Sequence, residues 1–178
     1  MGEREQPDMH LRVATFEDVP QIAAMERLLE FRTFVGQWTE EEHRQKMASA
    51  DVRYFVLDAR RRQVSDAGQS ELAAFAILQG LASEHRSIEL KRVVVKSPGQ
   101  GRGRQVLREL LDKVFHEFKA HRVWLDVFET NLRARHVYES LGFRYDGIFR
   151  EANFRDGQYH SLCLMSLLDR EYAEVERR

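Results

Sequence analysis

Residues 93–111, VVVKSPGQGRGRQVLRELL, contain the change of hydrophobic period that decides the fold. The three β-branched residues at their start are typical of the end of a buried strand. Pro98 and Gly99 interrupt that strand, because proline has no N–H to donate and glycine frees the backbone. From Gly103 onward the apolar residues recur with the period of an α-helix. The stretch therefore predicts a buried strand, a glycine-rich turn and an amphipathic helix.

The turn, Gln100-Gly101-Arg102-Gly103-Arg104, has features that suit an anionic ligand. It contains no side chain that caps a helix, so the first N–H groups of the helix remain available. The helix dipole favours an anion there, the glycines allow close approach, and the arginines add donors that fit phosphate. Such turns also form for packing reasons, so a structural turn remains open as the alternative. The spacing fits neither a P-loop nor a dinucleotide-binding fingerprint.

The rest of the chain predicts an α/β (mixed α+β) fold in one domain, residues 10–178, after a disordered lead at residues 1–9. The predicted order is β-αα-βββ-α-β-α-ββ, which gives a central mixed sheet of about seven strands with helices on both faces. Helices are predicted from about residue 16, after a capping box of Thr15 and Asp18, and from about residues 40, 103, 132 and 169. Strands are predicted at residues 11–14, 53–59, 71–79, 88–96, 122–128, 143–151 and 159–167.

The first two helices differ in character. The first is predicted to turn four apolar residues inward, Ile22, Met25, Leu28 and Leu29. The second, which starts after Thr39, is so strongly charged that it is predicted to be a solvated cover.

The strand before the glycine-rich turn contains an irregularity. Side chains of a regular strand point alternately to its two faces. Ile88 and Leu90 would then point to one face, whereas Val93 and Val95 would point to the other. One face can carry both pairs only if a residue is inserted between them, so a β-bulge is predicted near residues 91–92. The bulge would bend the strand away from its neighbour and leave room for an extended ligand.

Composition narrows the classes of function. An apolar content of 43% is typical of a globular protein, and a formal net charge of −1 argues against a nucleic-acid partner. The single cysteine, Cys163, excludes an internal disulfide. No metal site is predicted, because no ligand spacing is present and His43, His85 and His160 suit surface or packing positions. Without an apolar segment long enough to span a bilayer, we expect no membrane partner and a cytoplasmic location.

Three motifs resemble the GNAT superfamily of acetyl-CoA-dependent N-acetyltransferases. Residues 100–103 are similar to the family's Q/R-x-x-G-x-G/A pyrophosphate loop, although Gln105 stands where the family prefers glycine or alanine. Residues 131–143, NLRARHVYESLGF, are similar to the family's N-x-x-A-x-x-x-Y-x-x-x-G-F segment. The closing residues 149–172 resemble the Rim-type branch, which acetylates the N-termini of ribosomal proteins. The resemblance covers nearly the whole chain.

This resemblance implies both an activity and a cofactor site. The activity is transfer of an acetyl group from acetyl-CoA to a primary amine of a small molecule, or to a peptide or protein N-terminus, by direct attack of the amine. The pantetheine arm would bind main-chain groups of the strand end, the pyrophosphate would bind amides of the turn, and the helix after residue 131 would lie near the thioester. The implied cofactor residues are Val93, Val94, Val95, Gln100, Gly101, Arg102, Gly103, Arg104, Gln105, Asn131 and Arg135.

Three residues are candidates for catalytic proton transfer. The resemblance implies that Tyr138 is the acid that protonates the departing thiolate, whereas its spacing alone would favour a core aromatic residue. Asp126 is a candidate base, because an acid between Trp124 and Phe128 in a buried strand is unusual; a structural hydrogen-bond acceptor is the alternative. Glu89, beside the predicted bulge, is the second candidate base or an exposed strand residue.

The amine acceptor is left open by the sequence. Acceptor pockets in the family lie beside the loop between the first two helices and beside the last hairpin, here residues 31–38 and 153–158. Phe31, Phe34 and Trp38 would line an apolar acceptor pocket, and they would equally suit a core. A catalytically silent acyl-CoA-binding sensor or scaffold is the alternative function. Both a monomer and a homodimer are compatible with the sequence.

Overall fold

The computed structural model of the protein describes residues 11–59, 71–96 and 102–177. Within these residues seven strands form one sheet in the order β1-β2-β3-β4-β5-β7-β6. β4 and β5 are parallel, and the other neighbouring strands are antiparallel, so the predicted mixed sheet is confirmed. The strands are β1 (Arg12–Val13), β2 (Val52–Asp58), β3 (Leu72–Gln79), β4 (Ser87–Val95), β5 (Arg122–Phe128), β6 (Arg144–Arg155) and β7 (Gln158–Leu168).

Helices cover both faces of the sheet, as predicted. α1 and α2 pack over β2, β3 and β4 on one face, whereas α3, α4 and α5 pack on the other. α3 continues directly into a π-helical turn, Lys113–Glu117. The helices are α1 (Val19–Glu26), α2 (Glu40–Met47), α3 (Arg102–Asp112), α4 (Leu132–Ser140) and α5 (Asp169–Glu176).

Local chemistry explains where several of these elements begin and end. The Thr39 hydroxyl accepts the Glu42 N–H at 3.2 Å, and the Glu42 carboxylate accepts the Thr39 N–H, which closes a capping box at the start of α2. Gly142 follows α4 with a φ of +96°, a conformation that favours glycine. Asp156 and Gly157 both have positive φ and close the β6–β7 hairpin as a two-residue turn.

The predicted bulge in β4 is confirmed. Ile77 of β3 pairs with Arg92, but the next residue of β3 pairs with Leu90, so Lys91 is the inserted residue. The insertion allows residues on both sides of it to contribute to one apolar cluster beneath α3, which contains Ile88, Leu90, Val93 and Val95.

Three local predictions are corrected by the structure. Leu28 and Leu29 are 38% and 79% exposed, because α1 ends at Glu26 and tighter turn hydrogen bonds then break its periodicity. α2 is not solvated on all sides, since His43 is completely buried. β6 extends to Arg155 rather than ending at residue 151, because its pairing with β7 resumes at Asn153 after a register irregularity and continues to the turn.

The predicted lead at residues 1–9 lies outside the described residues. Within residues 11–59, 71–96 and 102–177, no helix is long and apolar enough to cross a lipid bilayer.

Candidate active site

β4 and β5 separate at the centre of the sheet, and the gap between the two strands beyond Glu89 is called the opening. Their parallel ladder joins Ser87, Ile88 and Glu89 to the first three residues of β5 and reaches no further. β4 continues to Val95 against β3, and β5 continues to Phe128 against β7. Within the described residues, the edge of β4 that faces β5 is therefore without a strand partner from Lys91 to Val95. An extended ligand can add to such an edge by main-chain hydrogen bonds.

The predicted pyrophosphate loop is described in part. Gln100 and Gly101 lie outside the described residues. α3 is helical from Arg102, and Arg104 and Gln105 are exposed in its first turn. Among the described residues, a methyl group added at Gly103 would meet no atom within 4 Å, so the side of the helix at Gly103 is open. Binding of the coenzyme A arm to the free edge of β4, and of the phosphates to the start of α3, stays a prediction.

Asn131 and Arg135 have structural partners of their own. The Asn131 side chain accepts the Ala134 N–H at 3.2 Å, which confirms it as the N-cap of α4. The Arg135 guanidinium donates to the Glu129 carbonyl at 3.1 Å and so ties α4 to the end of β5. A cofactor contact from either residue stays a prediction.

Tyr138 lies on α4 and packs against the apolar cluster that α3, α4 and α5 cover. Its ring is half-buried and packs against Phe143, with 5.7 Å between the ring centroids. Burial, together with the nearby Asp126 carboxylate, raises the pKa of Tyr138 to about 12. The phenol therefore keeps its proton at neutral pH and is available as a hydrogen-bond donor.

The expected burial of Asp126 is wrong. Val123, Leu125 and Val127 point into the core, whereas Asp126 lies on the opposite face of β5 and is exposed. The apolar cluster beneath α1 and α2 contains no residue of β5, which explains why this face remains open. Its aromatic neighbours on the same face, Trp124 and Phe128, are half-buried and buried. The exposed carboxylate can be reached by a ligand, and it lies near enough to Tyr138 to contribute to the raised pKa of the phenol.

Glu89 lies at the point where the two strands separate. It pairs with Trp124 of β5, and its side chain is 12% exposed. Its carboxylate forms an ion pair with Lys91, the bulged residue, at 3.0 Å. Asp126 and Glu89 therefore differ in environment, since one is exposed and the other is largely buried against a cation.

Phe34 borders the same opening from the loop formed by residues 31–38. Its ring contacts that of Phe128 edge to face, with 5.8 Å between centroids. Phe128 also packs against His160 of β7 at 5.5 Å. The guanidinium of Arg155 donates to the Thr33 carbonyl at 2.9 Å and, at 3.3 Å, to the carbonyls of residues 32 and 35, so the last hairpin holds the loop.

The other two predicted acceptor residues are part of the core. Phe31 and Trp38 are half-buried and pack against the cluster beneath α1 and α2. Trp38 also packs against a buried ion pair of Glu26 and Arg92, which the sequence analysis missed. The signal was present, since Glu26 falls four residues after Ile22 on the buried face of α1.

One cluster of metal-binding side-chain types forms on the surface. Asp112, His116 and Glu176 bring potential ligand atoms within 4.8 Å of one another, between the end of α3 and α5. His116 Nε2 lies 2.9 Å from a Glu176 carboxylate oxygen, so a hydrogen bond accounts for their proximity.

Comparison with known proteins identifies the family. A model of the acetyltransferase (GNAT) family matches residues 23–143. Spermidine N(1)-acetyltransferase of Vibrio cholerae is 27% identical over 144 residues, 79% of this chain and 83% of that protein. YdaF of Bacillus subtilis, named provisionally as a ribosomal N-acetyltransferase, is 25% identical over 173 residues, 92% of this chain and 93% of that protein.

The solved structure of the Vibrio cholerae spermidine enzyme in complex with CoA and spermine has the same fold. Its TM-score is 0.79, at 23% identity, over 93% of this chain and 98% of that one. The family match spans most of the described sheet, including the free edge of β4 and the whole of α4. The chain belongs to the GNAT family and is an acetyl-CoA-dependent N-acetyltransferase.

Proposed function

We propose that this enzyme acetylates a primary amine of a polyamine such as spermidine. The observation that carries the proposal is the exposed carboxylate of Asp126, which lies on the same face of β5 as the Phe34–Phe128 pair and near enough to Tyr138 to influence its pKa. A polyamine alternates ammonium groups with methylene segments, so its site needs carboxylates and apolar surface side by side. The named activity of the Vibrio cholerae relative supports this substrate class.

Each group near the opening then has a role. Acetyl-CoA supplies an activated acetyl thioester, held by the β4 edge and the start of α3. The amine must lose a proton before it attacks, which for a pKa of ~10.4 costs about 4–5 kcal/mol at pH 7. Asp126 accepts that proton, directly or through water, and Tyr138 donates a hydrogen bond to the sulfur as the thiolate leaves.

A peptide α-amine is the competing acceptor. Its pKa of ~7.7–8.0 lowers the cost of deprotonation to about 1 kcal/mol, so it needs less help from a base. The likeness to YdaF over most of the chain, and the resemblance of residues 149–172 to the Rim-type branch, favour this alternative.

The experiment is a measurement of coenzyme A release with four groups of amines at equal concentration. These are polyamines, peptides with free N-termini, aminoglycosides and amino acids. We expect spermidine or spermine to give the highest kcat/KM. A preference for peptides would place the enzyme in the Rim-type branch instead. No release with any of these amines, despite binding of acetyl-CoA, would contradict the polyamine proposal and mean that the acceptor belongs to another class of amine.

Acetyl-CoA is expected to raise the melting temperature of the protein, and Gly103→Glu is expected to abolish that rise. Ligand binding to the folded state alone must stabilise it, and the glutamate places a carboxylate where the phosphates bind. Thermal unfolding with and without acetyl-CoA measures both effects.

Gly147→Glu is the matched control, because Gly147 on β6 also has open space around it. This variant should retain the full thermal shift. Equal shifts with acetyl-CoA, NAD and ATP in the unaltered protein would contradict the cofactor site.

A further inference from the structure

A buried ion pair connects α1 to the bulge of β4. The Glu26 carboxylate is completely buried and accepts a hydrogen bond from the Arg92 guanidinium, whose side chain is 8% exposed. Arg92 directly follows the bulged residue and directly precedes Val93, where the free edge of β4 continues. Its position ties the pair to the strand that borders the cofactor site.

The same pair holds the end of the 31–38 loop. The second oxygen of Glu26 accepts the backbone N–H of Trp38 at 2.9 Å. The Arg92 guanidinium lies over the Trp38 ring, 3.8 Å from its centroid. The loop backbone also passes close to the guanidinium, since a methyl group added at Gly36 would lie 2.6 Å from Arg92 Nη2.

A buried histidine completes the cluster. His43 Nδ1 lies 3.0 Å from the Tyr54 hydroxyl, and burial raises the pKa of Tyr54, so this hydroxyl keeps its proton and can donate. A neutral imidazole then carries its hydrogen on Nε2, which lies 3.4 Å from Glu26. The Glu26 carboxylate is therefore contacted from α2, β4 and the loop together.

We infer that the Glu26–Arg92 pair is a positioning device that sets the 31–38 loop against the opening between β4 and β5. The loop carries Phe34 onto Phe128 at the end of β5, so a shift of the loop moves the wall beside Asp126. The inference rests on the proposed function in one respect, namely that this wall contacts the acceptor. A buried ion pair that contributes little to stability is the expected form of such a device.

Gly36→Ala tests the device from the side of the loop. The added methyl group must displace the Arg92 guanidinium from Trp38, yet it changes no charge and removes no core atom. We expect KM for the acceptor to rise about tenfold, because small displacements of positioning groups have large kinetic effects, and KM for acetyl-CoA to stay within about twofold. Gly147→Ala adds the same group at an open position and should change neither constant.

The double variant Glu26→Leu/Arg92→Met separates positioning from stability. Replacing a buried ion pair by apolar side chains is often neutral or stabilising, so the protein should fold and bind coenzyme A. The backbone N–H of Trp38 then loses its Glu26 acceptor, and the Trp38 ring loses the Arg92 guanidinium. KM for the acceptor should again rise about tenfold. Unchanged acceptor kinetics in a folded double variant would overturn the inference.

Trp38 provides a measurement that needs no acceptor. The chain has two tryptophans, so Trp38 is the sole emitter in a Trp124→Phe background. Acrylamide quenching should increase when Gly36→Ala or the double variant is added, and it should stay constant with Gly147→Ala. Increased quenching without turnover of any polyamine would sustain the positioning of the loop and reject the polyamine substrate. Unchanged quenching would overturn the inference whatever the substrate.

Discussion

Tyr138→Phe is expected to lower the turnover of acetyl transfer about 100-fold while the fold and the binding of coenzyme A survive. The substitution removes one hydroxyl and keeps the ring that packs against Phe143. A hydrogen bond to a charged group contributes about 1.5–3 kcal/mol of stabilisation, here to the transition state. The upper part of that range corresponds to the expected loss of about 100-fold in turnover. Single-turnover kinetics at saturating acetyl-CoA measure the chemical step directly.

The raised pKa decides how Tyr138 acts. A phenol with a pKa of about 12 is a much weaker acid than a thiol with a pKa of ~8.5. Full proton transfer to the thiolate would be uphill by about 5 kcal/mol, so the hydroxyl acts mainly as a hydrogen-bond donor while charge develops on sulfur. The raised pKa also means that this donor remains protonated as the pH rises through 10. The alkaline side of the rate profile should therefore show no loss from Tyr138 below about pH 11.

Thermal unfolding and the acetyl-CoA shift are the controls for this variant. Both should match those of the unaltered protein, since neither depends on the hydroxyl. A Tyr138→Phe enzyme with unchanged turnover would show that the residue is only part of the core.

The fold was predictable where it depends on local periodicity. The bulge in β4 followed from the opposite parities of two apolar pairs, and the structure places the insertion at Lys91. The end of α4 at Gly142 and the start of α2 after Thr39 were equally local, because a helix end is decided by the few residues around it. The failure at Leu28 and Leu29 has the same origin. Their spacing fits a helix, but the chain leaves the helix before it reaches them.

The candidate site was less predictable than the fold, because it depends on which helices and strands contact one another in three dimensions. Glu26 and Arg92 both fall on inward-facing positions, which signals a buried partner for each. They are 66 residues apart, and their pairing requires that α1 lie across the bulge. The exposure of Asp126 likewise depends on α1 and α2 covering β2 to β4 and leaving this face of β5 open. Arg155 holds carbonyls more than 100 residues away, for which its turn sequence gives no signal.

Asp126 and Glu89 now differ in ways that separate them as bases. The Glu89 carboxylate already accepts a hydrogen bond from Lys91 at 3.0 Å and is only 12% exposed, so a substrate amine has little access to it. Asp126 is exposed in the opening and lies close enough to Tyr138 to contribute to the raised pKa of the phenol. We therefore expect Asp126 to accept the proton of the amine.

Asp126→Asn should reduce turnover of a polyamine about 100-fold or more at neutral pH, and Glu89→Gln should reduce it far less. The asparagine variant should lose the acidic limb of its pH profile, because no carboxylate then needs to ionise. Its rate should instead rise about tenfold for each pH unit below the pKa of the amine, ~10.4. Turnover against pH from about 4 to about 11.5, over the range in which thermal unfolding shows the protein to be folded, measures these slopes in both variants.

The same substitution has a second expected effect. Asp126 is one of two causes that raise the pKa of Tyr138, so its removal should lower that pKa and leave burial as the remaining cause. Any alkaline limb that Tyr138 produces should then begin at lower pH in Asp126→Asn than in Glu89→Gln. Loss of the acidic limb in Glu89→Gln alone would transfer the role of base to Glu89. Survival of that limb in both variants would mean that water carries the proton to bulk solvent, which suits an acceptor with a low pKa such as a peptide α-amine.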